Sequence, residues 1–142
     1  MSKIFFDTNI LLDILIPDRK NHTKAINTLL KVGQEYDILA TSEDILTTVE
    51  YIAKKNKISC KKIHSFFDKL RKNFEIYNFS QVLKDSLSIY HKSCESEIKL
   101  DFEDLLQVMC AIHNKCDTFL TEDKELLKLD FDIKILSLSE VS

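Results

Sequence analysis

The chain has 142 residues, 44% of them hydrophobic and 30% charged, with a net charge of −3, which fits one soluble globular domain with a sizeable core and excludes a disordered or fibrous protein. No apolar run approaches the ~20 residues that cross a bilayer, and Asp7 and Asp13 interrupt any signal-peptide core, so a cytoplasmic protein without membrane contact is expected. One glycine and one proline exclude a glycine-rich phosphate loop, and Cys60, Cys94, Cys110 and Cys116 match neither a zinc spacing nor a secreted disulfide framework.

The first predicted element is a buried strand, Lys3 to Phe6, that breaks directly into Asp7-Thr8-Asn9. Thr8 or Asn9 is placed to cap a short helix that Pro17 ends. A second helix is predicted from Thr23 to Val32, stopping at Gly33, and a second strand from Tyr36 to Thr41. Ser42 is read as the cap of a helix with the stripe Ile45, Leu46, Val49, Ile52 and Ala53. A further helix covers Cys60 to Lys72, and Phe74 to Tyr77 forms a short third strand. Helices follow from Ser80 to Glu95 and from Asp101 to about Asn114. Strand four is Thr118 to Thr121, a helical turn spans Lys124 to Leu127, and strand five is Ile133 to Leu136. Strands alternating with helices predict a five-stranded parallel sheet covered on both faces, a three-layer α/β/α sandwich, in a single domain spanning residues 1–142.

Four acids fall near one edge of that sheet. Asp7 follows strand one, Asp123 follows strand four with Thr121 between them, Asp104 lies in the first turn of an almost wholly apolar helix, and Glu50 flanks the buried stripe after strand two. Each has a structural alternative. Asp7, Asp101 and Asp123 precede helical turns and can cap them, and Glu50 can pair with Lys54 at i, i+4. Together, though, they come from four separated segments to the edge where open α/β sheets bind ligands. Carboxylates so close need a counter-charge, and oxygen-only ligands suit Mg²⁺ or Mn²⁺. The chemistry such a site performs is phosphodiester hydrolysis by an activated water, with Asn9 and Thr121 as supporting polar groups. Asp101 and Asp104 share a helix face and either could reach a metal near the helix start; Asp101 fits the cap, and Asp104 lies in the first turn, where the helix dipole favours a carboxylate.

Asp7-Thr8-Asn9, Glu50, the segment from Asp101 to Gln107 and Thr121-Glu122-Asp123 together resemble the PIN domain, in particular small free-standing bacterial members of the VapC-like toxin type. The resemblance spans essentially the whole chain, and its motifs fall in the family's order. It implies a five-stranded parallel sheet, a metal-dependent endoribonuclease site at Asp7, Glu50, Asp104 and Asp123, an RNA substrate, an antitoxin partner and a homodimer. One departure is Glu122, which stands where relatives often carry Arg and leaves open how substrate phosphate is held there.

The stretch from Tyr51 to Lys72 carries Lys54, Lys55, Lys57, Lys61, Lys62, Lys69, Arg71 and Lys72 against Asp68 alone. Segregated charge of this kind suits a polyanion such as RNA, with Lys54, Lys55, Lys61 and Lys62 as contacts, or else a solvated helix pair. A receiver-like signalling domain is the rival of another class, but Phe74 to Phe79 offers no acceptor Asp at its strand end. A haloacid-dehalogenase-like phosphatase would need an Asp where Asn9 stands. A PIN-like module that binds RNA or a partner without cutting it is the remaining alternative.

Overall fold

Residues 1–97 and 100–141 are described by a computed structural model. Strand β1 (Lys3–Phe6) leads into α1 (Thr8–Leu15) and α2 (His22–Glu35), then β2 (Ile38–Ser42), α3 (Asp44–Lys55) and α4 (Cys60–Asn73). Strand β3 (Phe74–Tyr77) is followed by α5 (Leu83–Cys94) and α6 (Phe102–His113). The chain ends with β4 (Thr118–Leu120), α7 (Lys124–Leu127), β5 (Lys134–Leu136) and a 3-10 turn at Leu138–Glu140. All strand pairs are parallel, in the order β3-β2-β1-β4-β5. The fold is therefore the five-stranded α/β arrangement that the alternation of elements predicts.

The pleat decides which residues meet which layer. Ile4 and Phe6 face a core built with Ile10, Leu11, Val32, Ile45, Val49 and Leu70, on the side of α1 to α4. Phe5 turns the other way, with Ala40, Val108, Ala111 and Phe119, towards α6. Phe5 and Phe119 stack at 5.3 Å with 9° between their rings, tying β1 to β4. Strand β1 is thus buried on both faces, which is why its sequence is a continuous apolar run rather than an alternation.

Chain order reverses about β1: β2 and β3 lie on one side, β4 and β5 on the other. The crevice at the carboxyl ends of β1 and β4 is the topological switch point, where this class of sheet places its ligand.

Several boundaries differ from expectation for physical reasons. Helix α2 runs through Gly33 to Glu35, because that glycine is exposed with nothing within 4 Å of a Cβ there and the helix gains by continuing to the Tyr36 amide bond onto Val32. Ser42 does not cap α3; it is the last residue of β2 and is fully buried. Asp7, not Thr8 or Asn9, caps α1. Of the cysteines, Cys110 and Cys116 are buried as expected of small apolar residues, whereas Cys60 and Cys94 are exposed. Among the described residues no helix is long and apolar enough to cross a membrane.

Candidate active site

Asp7 arrives at the switch point as the first residue past β1. Its amide donates to Leu120 O at 3.0 Å, extending the β1–β4 ladder, while its backbone remains extended. The side chain is held from two sides: Oδ1 accepts the Thr8 amide at 2.8 Å, and Oδ2 accepts Thr121 Oγ1 at 2.8 Å. Thr121 Oγ1 accepts the Asp123 amide at 3.0 Å in turn, so one hydroxyl locks the ends of β1 and β4 together. Asp123 Oδ1 then caps α7 by accepting the Glu125 and Leu126 amides. Asn9 Oδ1 accepts the Glu122 amide at 3.3 Å and steadies the same turn.

Asp104 comes from α6, whose cap is Asp101: Asp101 Oδ1 accepts the Asp104 amide at 3.1 Å. This is the division between cap and inner acid that the sequence predicts.

The electrostatics join these acids. Burial pushes the Asp7 carboxyl up to about 6, against the lowering effect of the Thr121 and Thr8 bonds, with the charges of Asp123 and Asp101 adding to the rise. The Asp104 carboxyl is pushed up to about 8, first by burial, then by its hydrogen bond with Asp123 and by the charges of Asp7, Asp123 and Asp101. Among the described residues no Lys, Arg or His forms an ion pair with Asp7, Asp104 or Asp123. Three carboxylates therefore share a crevice with only amides and a hydroxyl to offset them. That all-oxygen donor set fits a hard divalent cation. Among the described residues no three acidic, His or Cys side chains lie close enough together to cage a metal ion.

Glu50 is not brought to this edge. Its side chain is 50% exposed and pairs with Lys54 at 3.6 Å, the structural alternative that its spacing allowed. Helical phase explains it: Glu50 lies six residues after Asp44, about 120° round the helix from it. Asp44 begins α3 at the sheet's carboxyl edge and is the acid that senses the site, through Glu103. The Glu103 carboxyl is raised by burial and by the charges of Asp44, Asp101 and Asp7. Sequence reasoning missed Glu103 and Asp44, although Glu103 sits beside Asp104 in the same first turn.

Glu122 has a structural duty here. Its Oε2 accepts the Leu138 amide at 3.1 Å and its Oε1 accepts Asn21 Nδ2 at 3.5 Å, tying the strand-four turn to the chain's last turn and to the start of α2.

The lysines lie elsewhere. Helix α3 runs back from the carboxyl edge, so its last turn, with Lys54 and Lys55, is about 16 Å along the axis from Asp44. Lys54 is engaged by Glu50, Lys55 lies 4.6 Å above the Tyr51 ring, and Arg71 and Lys72 both pair with Asp68. Lys61 and Lys62 begin α4, next to that same turn, and are exposed. Lys62 and Lys69 border an open apolar groove between α2 and α4, floored by Leu15, Leu29, Phe66 and Leu70.

A parallel sheet with carboxylates converging at its switch point defines a class of acidic-edge α/β domains, and comparison with known proteins specifies which. The sequence profile of the PIN domain matches residues 3–125. Ribonuclease VapC1 of Aquifex aeolicus is 30% identical over 132 residues, covering 92% of this chain and 88% of that protein. The chain belongs to the PIN-domain family. Solved structures share the fold at low identity. VapBC2 of Rickettsia felis, bound to a promoter DNA fragment, superposes with a TM-score of 0.70 at 20% identity, covering 96% of this chain and 98% of that one. VapC20 of Mycobacterium tuberculosis, a sarcin-ricin loop cleaving toxin, gives 0.71 at 11% identity, with 92% and 98% covered. A toxin–antitoxin complex from Klebsiella pneumoniae gives 0.65 at 20% identity, with 95% and 97% covered.

Proposed function

We propose that this protein is a divalent-metal-dependent endoribonuclease of the toxin type, cutting RNA phosphodiester bonds at the crevice between β1 and β4. The observation that carries the reading is the convergence of Asp7, Asp104 and Asp123 from three segments with no cationic side chain among them. A likeness to a named ribonuclease over nearly the whole chain supports it.

In this reading Asp7, Asp104 and Asp123 hold Mg²⁺ or Mn²⁺, which when bound supplies an activated water and charge stabilisation for in-line displacement at phosphorus. Thr121 keeps Asp7 and Asp123 in fixed relation, through the bond it donates to one and accepts from the other's amide. Asn9 holds the Glu122 amide, so that the turn carrying Asp123 does not swing away. Asp101 caps α6 and, with Glu103, adds negative charge that strengthens cation capture. Glu50 has no part in it.

The test is cleavage of a structured RNA by purified protein with Mg²⁺, with Mn²⁺ and with chelator. Cleavage should require the metal and vanish in Asp7→Asn and Asp104→Asn. Metal-independent cutting, or cutting by either variant at the wild-type rate, overturns the assignment.

An antitoxin partner is part of this reading, in line with the fold shared with VapBC2 and with a toxin–antitoxin complex. Expression of the wild-type chain alone should arrest growth, and co-expression with the protein encoded beside it should restore it; arrest that Asp7→Asn leaves intact contradicts the toxin reading. A homodimer is the accompanying expectation, for which Leu83 and Leu87, exposed one turn apart on α5, offer apolar surface. Sedimentation velocity giving only monomer at micromolar concentration would remove it.

A further inference from the structure

We propose that Gln107 and Ser42 form a positioning pair for the Asp7–Asp104 edge of the site, with the Gln107 amide poised to donate to an oxygen of the cation-loaded site; the inference rests on the divalent-metal reading above.

Strand register supplies the first part. Phe5 pairs with Ala40 on β2, and Phe6 with Leu120 on β4. Carried on to the strand ends, these registers set Ser42, Asp7 and Thr121 side by side. All three are an even number of residues from Ala40, Phe5 and Phe119, so all three face α6. Asp7 therefore has a polar neighbour on each flank. Thr121 donates to its carboxylate at 2.8 Å. Ser42, on the other flank, donates instead to Gln107 Oε1 at 2.7 Å.

Gln107 enters from α6, one turn beyond Asp104 on the same face. It is fully buried, on a helix otherwise apolar at its buried positions, and its Nε2 has no acceptor. Buried amide donors without partners are costly and rare, and each asks for an explanation. Turning the amide round does not remove the problem. Ser42 offers contact to one amide atom only, and the turned form would leave a buried carbonyl oxygen unpaired instead. The bond to Ser42 thus holds the amide with its donors free, beside Asp7 in the sheet and one turn from Asp104 on the helix. A site waiting for an additional oxygen accounts for donors kept in reserve; a merely structural glutamine does not.

The experiment measures Mn²⁺ binding by electron paramagnetic resonance and metal-free melting temperature, for wild type and for the double variant Ser42→Ala/Gln107→Leu. The double change removes donor and acceptor together, so no orphan hydroxyl remains. Metal-free melting should be unchanged or higher, whereas Mn²⁺ affinity should fall by about tenfold or more, the usual scale for groups that orient metal ligands. Ser42→Thr, which retains the hydroxyl, should keep near wild-type affinity, and Ser42→Ala alone should weaken it, which keeps the proposal testable if the double variant does not fold. Wild-type affinity in the double variant, or in Ser42→Ala should the double variant not fold, overturns the pair. Absence of Mn²⁺ binding by the wild type overturns the metal reading itself, and the pair with it.

Discussion

Asp7 caps α1 and faces the acidic crevice at once, and the two duties pull its proton in opposite directions. The Thr8 and Thr121 bonds favour the carboxylate, but burial outweighs them and holds the group near 6, against 3.8 for an ordinary aspartate. A raised carboxyl means that the folded state binds the proton more tightly than the unfolded one. The metal-free stability that these two acids contribute is then full below the unfolded value and is lost as pH rises from about 4 through 6 for Asp7, and further towards 8 as Asp104 titrates. For Asp7 the difference of two pH units is worth about 3 kcal/mol at most. Asp7→Asn should therefore raise the metal-free melting temperature at pH 7.5 and leave it nearly unchanged at pH 4, as calorimetry at the two pH values would reveal; equal effects at both would show that charge is not the cause. Mg²⁺ or Mn²⁺ should stabilise the wild type more at pH 8 than at pH 5. The other acids separate by the same logic. Glu50→Gln should leave cleavage within about twofold, since exposed ion pairs of this kind matter little. Asp101→Ser should also cut RNA, because Ser caps nearly as well, whereas Asp104→Asn, which removes a carboxylate assigned to the metal, should abolish cleavage. Asp7, Asp104 and Asp123 were legible because each follows a strand or opens a helix at a known edge. Glu50 falls on an exposed flank of α3, which sequence could not tell, because it gives the angle to Val49 but not which side of the buried stripe stays open to solvent. Gln107 was read only as the end of the Asp101–Gln107 segment and not as a site residue, although a lone amide on an apolar helix was its visible signal.

At the level of elements, strands and long helices follow from apolar periodicity, and their ends depend on local hydrogen bonds that composition only constrains. Having one glycine, the chain closes two helices with lysine. Lys57 and Lys115 both adopt φ of 62°, in the left-handed region. Each sits in the same motif: the Lys57 amide bonds Lys54 O while Ile58 bonds Ala53 O, and the Lys115 amide bonds Ile112 O while Cys116 bonds Ala111 O. A side chain with a Cβ is strained there, by roughly 1–2 kcal/mol relative to glycine. Lys57→Gly and Lys115→Gly should each stabilise the fold by about 1 kcal/mol once the added freedom of the unfolded chain is discounted. Urea denaturation would check this, and destabilisation by either change would mean that the lysine side chain contributes more than its backbone costs. Gly33, the residue that looked like a helix stop, is dispensable in that role, since α2 passes through it. Sequence could not distinguish a capping glycine from a tolerated one, because the deciding bond comes from Tyr36, beyond it.

Across the whole molecule, charge is separated along the strand direction. Acids gather where β1 and β4 end, and lysines gather about the last turn of α3 and the start of α4, a separation that linear charge counting does not convey. An RNA held at the crevice reaches Lys54, Lys55, Lys61 and Lys62 only if it is long enough to run the length of α3, about 16–18 Å. A single strand spans that distance in a handful of nucleotides, so the two ends can act on one substrate of moderate length. We therefore expect charge reversal, Lys54→Glu with Lys61→Glu and Lys62→Glu, to act by substrate length. For a long structured RNA, affinity should fall and its dependence on salt should flatten, because fewer counterions are released on binding. For an oligonucleotide only a few residues long, cleavage should be unchanged, since the carboxylate crevice is untouched. Melting temperature should move little, as these side chains are exposed. Equal loss on short and long substrates would mean that the reversal disturbs the crevice from a distance. Unchanged affinity for both would leave the lysines to a protein partner, with Lys62 at the rim of the apolar groove as the first contact to probe.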